Sequence, residues 1–75
     1  MHRAVIELKH PNAKIIYRSL LPESRRTLPR TKVILRYDEG KLIMEIFAED
    51  ISALRASLNS YLRWINTSLE IMEVE

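Results

Sequence analysis

Arg25, Arg26, Arg30 and Lys32, with Arg36 beyond them, place five cations within twelve residues. Such a run suits phosphate contact, which needs only charge and reach. No Phe, Trp or Tyr lies between Arg25 and Arg36, so stacking of unpaired bases is not signalled. A loop whose cations simply meet water explains the run equally well. Further on, Arg55, Asn59 and Arg63 stand one helical turn apart each. Two arginines on one ridge, with an amide between them, suit hydrogen bonds to a partner's carbonyls or carboxylates. A solvated ridge reads almost as well.

Catalysis needs a positioned nucleophile, base or metal. There is no cysteine, and the six serines have no histidine at a predictable distance. His2 and His10 lack a spaced partner for a metal. Glu45, Glu49 and Asp50 cluster, but helix capping explains two of them. A single glycine leaves no phosphate-cradling loop of the usual kind. The expectation is a non-enzymatic chain with no cofactor.

The elements that hold these residues are legible from periodicity. Residues 3–9 alternate, with Ala4, Ile6 and Leu8 on one face, as in a half-buried strand. Pro11 suits the first turn of a helix, and Ala13, Ile16, Tyr17 and Leu20 follow at helical spacing. Pro22 is expected to stop that helix, leaving residues 22–31 as a loop. Val33, Leu35 and Tyr37 alternate in a second strand, residues 32–38. Asp38-Glu39-Gly40-Lys41 reads as a hairpin turn, with glycine supplying the left-handed conformation. Leu42, Met44, Ile46 and Ala48 form one face of the return strand; Ile43, Glu45 and Phe47 form the other. Asp50 is a suitable N-cap for a helix running from Ile51 to about Met72 without Gly or Pro. The expected class is α+β, in the order β-α-β-β-α. Residues 1–75 form one domain, a three-stranded antiparallel sheet with two helices on one face.

The long helix carries more apolar surface than its own sheet needs. Ile51, Leu54, Leu58, Leu62, Ile65, Leu69 and Met72 make one stripe. Ala53, Ser57, Ser60, Trp64, Ser68 and Ile71 make a second, whose small residues would let another backbone approach. Val5, Ile34, Ile43 and Phe47 fall on the sheet face away from the core. A domain of this size buries only about 60% of its unfolded surface, and without cysteine it has no disulfide to add. Oligomerisation is the remaining support, with a second copy as the first partner. Covering of the second stripe by the first helix is the competing explanation.

Residues 1–36 hold nine Lys/Arg against Glu7 and Glu23; residues 37–75 hold three against eight acids. Such a split fits either an anionic partner or self-complementary packing. No apolar run approaches the roughly 20 residues of a spanning helix. The N-terminus runs straight into a strand pattern, so a cytoplasmic chain without membrane contact is expected.

The segment Ala48-Glu49-Asp50-Ile51-Ser52-Ala53-Leu54-Arg55-Ala56-Ser57-Leu58-Asn59-Ser60-Tyr61-Leu62-Arg63-Trp64-Ile65 resembles the small dimerisation subunit of the KEOPS complex, the Pcc family, in its archaeal form. Tyr17-Arg18-Ser19-Leu20 with Pro22-Glu23, and the hairpin from Lys32 to Ala48, extend the resemblance over nearly the whole chain. The loop from Ser24 to Pro29 shows no family pattern.

The resemblance implies a role in making threonylcarbamoyl-adenosine beside the anticodon of tRNAs. The chemistry there belongs to a separate metal-binding transferase subunit, supported by a kinase-like ATPase. The small subunit is expected to be a homodimer that docks one transferase per copy through its helices and helps to hold tRNA. On that basis Ala13, Tyr17, Leu20, Arg55, Asn59 and Arg63 are assigned to docking. Ala53, Ser57, Ser60, Trp64, Ile43 and Phe47, with the sheet edge, are assigned to the dimer, though the two surfaces could be exchanged. Arg25, Arg26, Arg30 and Lys32 are the candidates for tRNA contact. The alternative is a stand-alone nucleic-acid binder or transcription regulator, for which no recognition-helix or zinc pattern is present.

Overall fold

In a computed structural model, residues 1–25 and 30–73 are described. Two strands and a helix open and build the fold: β1 His2–Lys9, α1 Ala13–Ser24 and β2 Thr31–Asp38; β3 Lys41–Ala48 and α2 Ile51–Glu73 complete it. The sheet order is β1-β3-β2, and both pairings are antiparallel. The α+β reading and the element order hold.

The β2–β3 connection is a two-residue turn in which Glu39 and Gly40 have φ of 46° and 80°. Positive φ at both central positions is what a type I′ hairpin requires, and its twist matches that of the strands. The turn sets the register Asp38↔Lys41, Tyr37↔Leu42 and Leu35↔Met44. Side-chain alternation then places Leu42, Met44, Ile46 and Ala48 beneath the helices, all fully buried. Ala13, Ile16 and Leu20 of α1 meet them, joined from α2 by Leu54, Tyr61 and Ile65. Tyr17 on α1 lies with its ring centroid 6.0 Å from that of Tyr37 on β2. Both helices lie on the same face of the sheet.

The start of α1 has no side-chain cap; instead the His10 imidazole Nδ1 accepts the Asn12 backbone N–H at 3.0 Å. Pro11 sits in the turn before α1 rather than in its first turn. Pro22 does not stop α1, which continues to Ser24. The proline removes the one N–H that would reach Arg18, and the helix runs only two residues beyond it. The exposed carbonyl end is tied by the Ser24 hydroxyl and the Arg25 N–H, both donating to Leu21 O, at 2.8 and 3.3 Å. At α2 the Asp50 carboxylate accepts the Ala53 N–H at 2.8 Å, an N-cap of the expected kind.

The buried seam of α2 is rotated from the expected stripe. Leu54, Ser57, Tyr61 and Ile65 are buried, with Ala53, Leu58 and Leu69 packed beside them. Ile51 and Leu62 stay exposed. The small Ser57 lets the helix lie close to the sheet, and the Tyr61 ring fills the next turn.

Candidate interaction surfaces

The helical layer presents exposed apolar side chains of a size that monomers normally hide. Ile15 on α1 is 56% exposed; on α2, Ile51, Leu62 and Trp64 are 48, 43 and 44% exposed. Arg55, Asn59 and Arg63 are exposed on the outer side of α2 beside Leu62, while Trp64 is exposed on the other flank of the helix, beside Ser60. Ser60 is exposed as well, whereas Ala53 is half-buried. Ala13, Leu20 and Ser57 are buried in the domain's own core. Their side chains are packed in the core that joins the helices to the sheet. Tyr17 is half-buried and spent on Tyr37.

The opposite sheet face is less apolar than alternation implied. Val5 is exposed there, but Ile34, Ile43 and Phe47 are half-buried. Glu45 sits at the centre of the face on the middle strand, its side chain 13% exposed. Arg3 donates to its Oε2 from Nε and Nη2, at 3.1 and 2.8 Å, and Arg36 donates to its Oε1 at 2.8 Å. The Arg3 hydrogen bond, helped by both guanidinium charges, holds the Glu45 carboxyl below its ordinary value; partial desolvation works against this. The arginine stems shade the neighbouring apolar residues. This cross-strand network was missed at the level of sequence, because it needs the register that pairs Val5 with Glu45 and Glu45 with Ile34. Ile43 and Phe47 belong to the central strand, paired on both sides, so a partner can reach them only over the open face and not along an edge.

The basic residues of the loop are dispersed. Arg25 is exposed at the end of α1, and Arg30 and Lys32 are exposed at the start of β2. Arg26 lies outside the described residues, as do the side chains of Glu70, Ile71 and Met72. Arg30 has φ of 66°, and its carbonyl accepts the Glu49 N–H at 3.0 Å, pinning the loop's end to the start of α2. Its guanidinium lies 3.5 Å from Asp50. On α2, burial pushes the Tyr61 phenol up, with the Glu23 charge adding to it.

Among the described residues, no group of three or more His, Asp or Glu is placed to hold a metal ion. Likewise no helix among them is long and apolar enough to cross a membrane.

These features define a class: a two-layer α+β domain with helices on one face and an open, charge-laced sheet on the other. Residues 1–73 match the family described as "Transcription factor Pcc1", and the chain belongs to that family. A relative from Pyrococcus abyssi (strain GE5 / Orsay), named "KEOPS complex subunit Pcc1", is 38% identical over 64 residues, covering 83% of this chain and 77% of the relative.

Proposed function

We propose that this chain is a non-catalytic subunit of a cytoplasmic KEOPS complex. In this reading it pairs with a second copy and docks one catalytic transferase subunit on each copy, for the modification of tRNA. The observation that carries the reading is the 38% identity to a protein named as a KEOPS subunit, over most of both chains. The surfaces agree with it. Four large apolar side chains stand exposed on the helical layer, Ile15 on α1 and Ile51, Leu62 and Trp64 on α2, and exposed anchors of this size suit a protein contact. We assign transferase docking to α2, with Leu62 as the apolar anchor and Arg55, Asn59 and Arg63 as the polar rim. Self-association is assigned to the sheet, whose strands β1 and β2 each leave a backbone edge without a strand partner among the described residues.

The test is co-purification with the transferase subunit, together with light scattering of the isolated chain. A dimer that retains the transferase is expected, and Leu62→Glu or Arg63→Glu should release the transferase while leaving the dimer intact. Full retention by both variants would remove α2 from the docking surface.

The family's description as a transcription factor favours a second reading, a regulator that binds DNA. That reading predicts sequence-selective DNA binding by the isolated chain. A strand of either type bound without sequence preference speaks against it.

A further inference from the structure

We infer that the corner of the open sheet face around Phe47 is a binding site for one unpaired nucleotide of a nucleic-acid strand. The inference goes beyond the assembly role and holds whether or not the chain sits in a KEOPS complex.

The basic loop lacks an interleaved aromatic in sequence, but the fold supplies one from another strand. Phe47 on β3 is the direct cross-strand partner of Arg3 on β1 and of Lys32 on β2. All three fall on the open face, giving a row of cation, aromatic ring and cation across the full width of the sheet. The Arg3 guanidinium lies 5.9 Å from the Phe47 ring centroid. Its two hydrogen bonds to Glu45 fix it there, so ring and guanidinium form a preorganised platform. Aromatic rings and guanidinium planes are the surfaces on which unpaired bases stack.

Beside the ring lies an open hollow of about 200 Å³, lined by Met1, Arg30, Thr31, Lys32, Phe47 and Glu49. Sites for drug-sized ligands start at about 300 Å³; this one suits a single flat ring. Lys32 and Arg30 are exposed at its rim, within reach of the phosphates on either side of a stacked base. The contact of Arg30 with Asp50 is long and both side chains are largely exposed, so it is weak enough to be exchanged for phosphate. Glu49 is the acidic member of the lining and repels phosphate. The strand therefore runs on the Lys32 side of the hollow, leaving Glu49 to accept from exocyclic amines of the base.

The test uses the full chain and dye-labelled octamers: one RNA strand, the DNA strand of the same sequence, and the RNA duplex, followed by fluorescence anisotropy. Single strands should bind more tightly than the duplex. Equal affinity for RNA and DNA strands supports recognition through base and phosphate alone; tighter RNA supports an added 2′-hydroxyl contact. Phe47→Leu keeps an apolar side chain on the sheet and should weaken strand binding about 5-fold or more, while Phe47→Trp should retain it. Lys32→Ala should lower the slope of log affinity against log salt by about 0.7, the share of one phosphate contact on a single strand. Circular dichroism melting confirms that each variant is folded. Duplex bound as tightly as single strand, or folded Phe47→Leu binding like the parent, overturns the inference. So does a parent chain that binds no strand.

Discussion

Arg3 and Glu45, 42 positions apart in the chain, meet across the β1–β3 pair at 2.8 Å, with Arg36 closing on the other carboxylate oxygen from β2. One carboxylate thus ties all three strands together on the face that no helix covers. Its pKa is depressed in the folded state, so its contribution to stability is present above the ordinary value of 4.5 and is lost as pH falls through the lower folded value. Parent and Glu45→Gln should differ in urea midpoint at pH 7, and the gap should narrow as pH falls from 4.5 through the lower folded value. A gap that persists in acid would assign the effect of Glu45 to packing rather than charge.

The two ends of the apolar inventory make a contrasting pair. Leu20 is fully buried between α1 and the sheet, and Leu62 stands exposed on α2. Leu20→Ala should cost about 2–5 kcal/mol, since it removes transfer energy and leaves a cavity. Leu62→Ala should stay within about 0.5 kcal/mol of the parent in the isolated chain. Chemical denaturation of the two variants measures this directly, and a large loss at Leu62 would mean that the self-contact covers it.

Asp50 caps α2 through the Ala53 N–H. Replacement by Ala should cost about 0.5–2 kcal/mol, and Asp50→Asn, which keeps an acceptor, most of that less. The looser contact with Arg30 contributes little, being exposed on both sides. Thermal melts of Asp50→Ala, Asp50→Asn and Arg30→Ala should rank in that order of damage, with the last nearly silent.

Glu39 occupies a left-handed position that suits Asn better. Glu39→Asn should raise stability by a few tenths of a kcal/mol to about 1 kcal/mol. Gly40→Ala should lower it by about 1 kcal/mol or more. A Cβ at Gly40 would meet nothing within 4 Å, so the loss is one of backbone conformation alone. Midpoint shifts of opposite sign in the two variants would confirm the turn type.

Strands and turn were legible because alternation and a lone glycine act locally. Leu42, Met44, Ile46 and Ala48 could be placed on the buried face before any contact was known. The seam of α2 was harder. Ranking residues by apolarity favours Ile51 and Leu62, yet Ser57 and Tyr61 are the ones that face the sheet. The difference is a rotation of roughly 50°, half of the 100° step per residue. Closeness of approach decides it: a serine admits the sheet's side chains, and tyrosine offers an apolar ring despite its polar tip. Pro22 misled because the helix continues two residues past it, its end held by Ser24 and Arg25 on the Leu21 carbonyl. The row through Phe47 was invisible for another. Arg3, Lys32 and Phe47 are far apart in sequence, and only the register of two strand pairs brings them side by side.

The strand order carries a kinetic consequence. Among the described residues β1 pairs with β3 alone, and β3 ends at Ala48. β1 therefore has its strand partner only once β3 has been made, while the β2–β3 hairpin can close on itself at once. The hairpin should be structured early in the folding transition state and β1 late, because closing the longer loop costs more entropy. Substitutions at the Glu39-Gly40 turn should then alter the refolding rate, whereas Ile6→Val should mainly hasten unfolding.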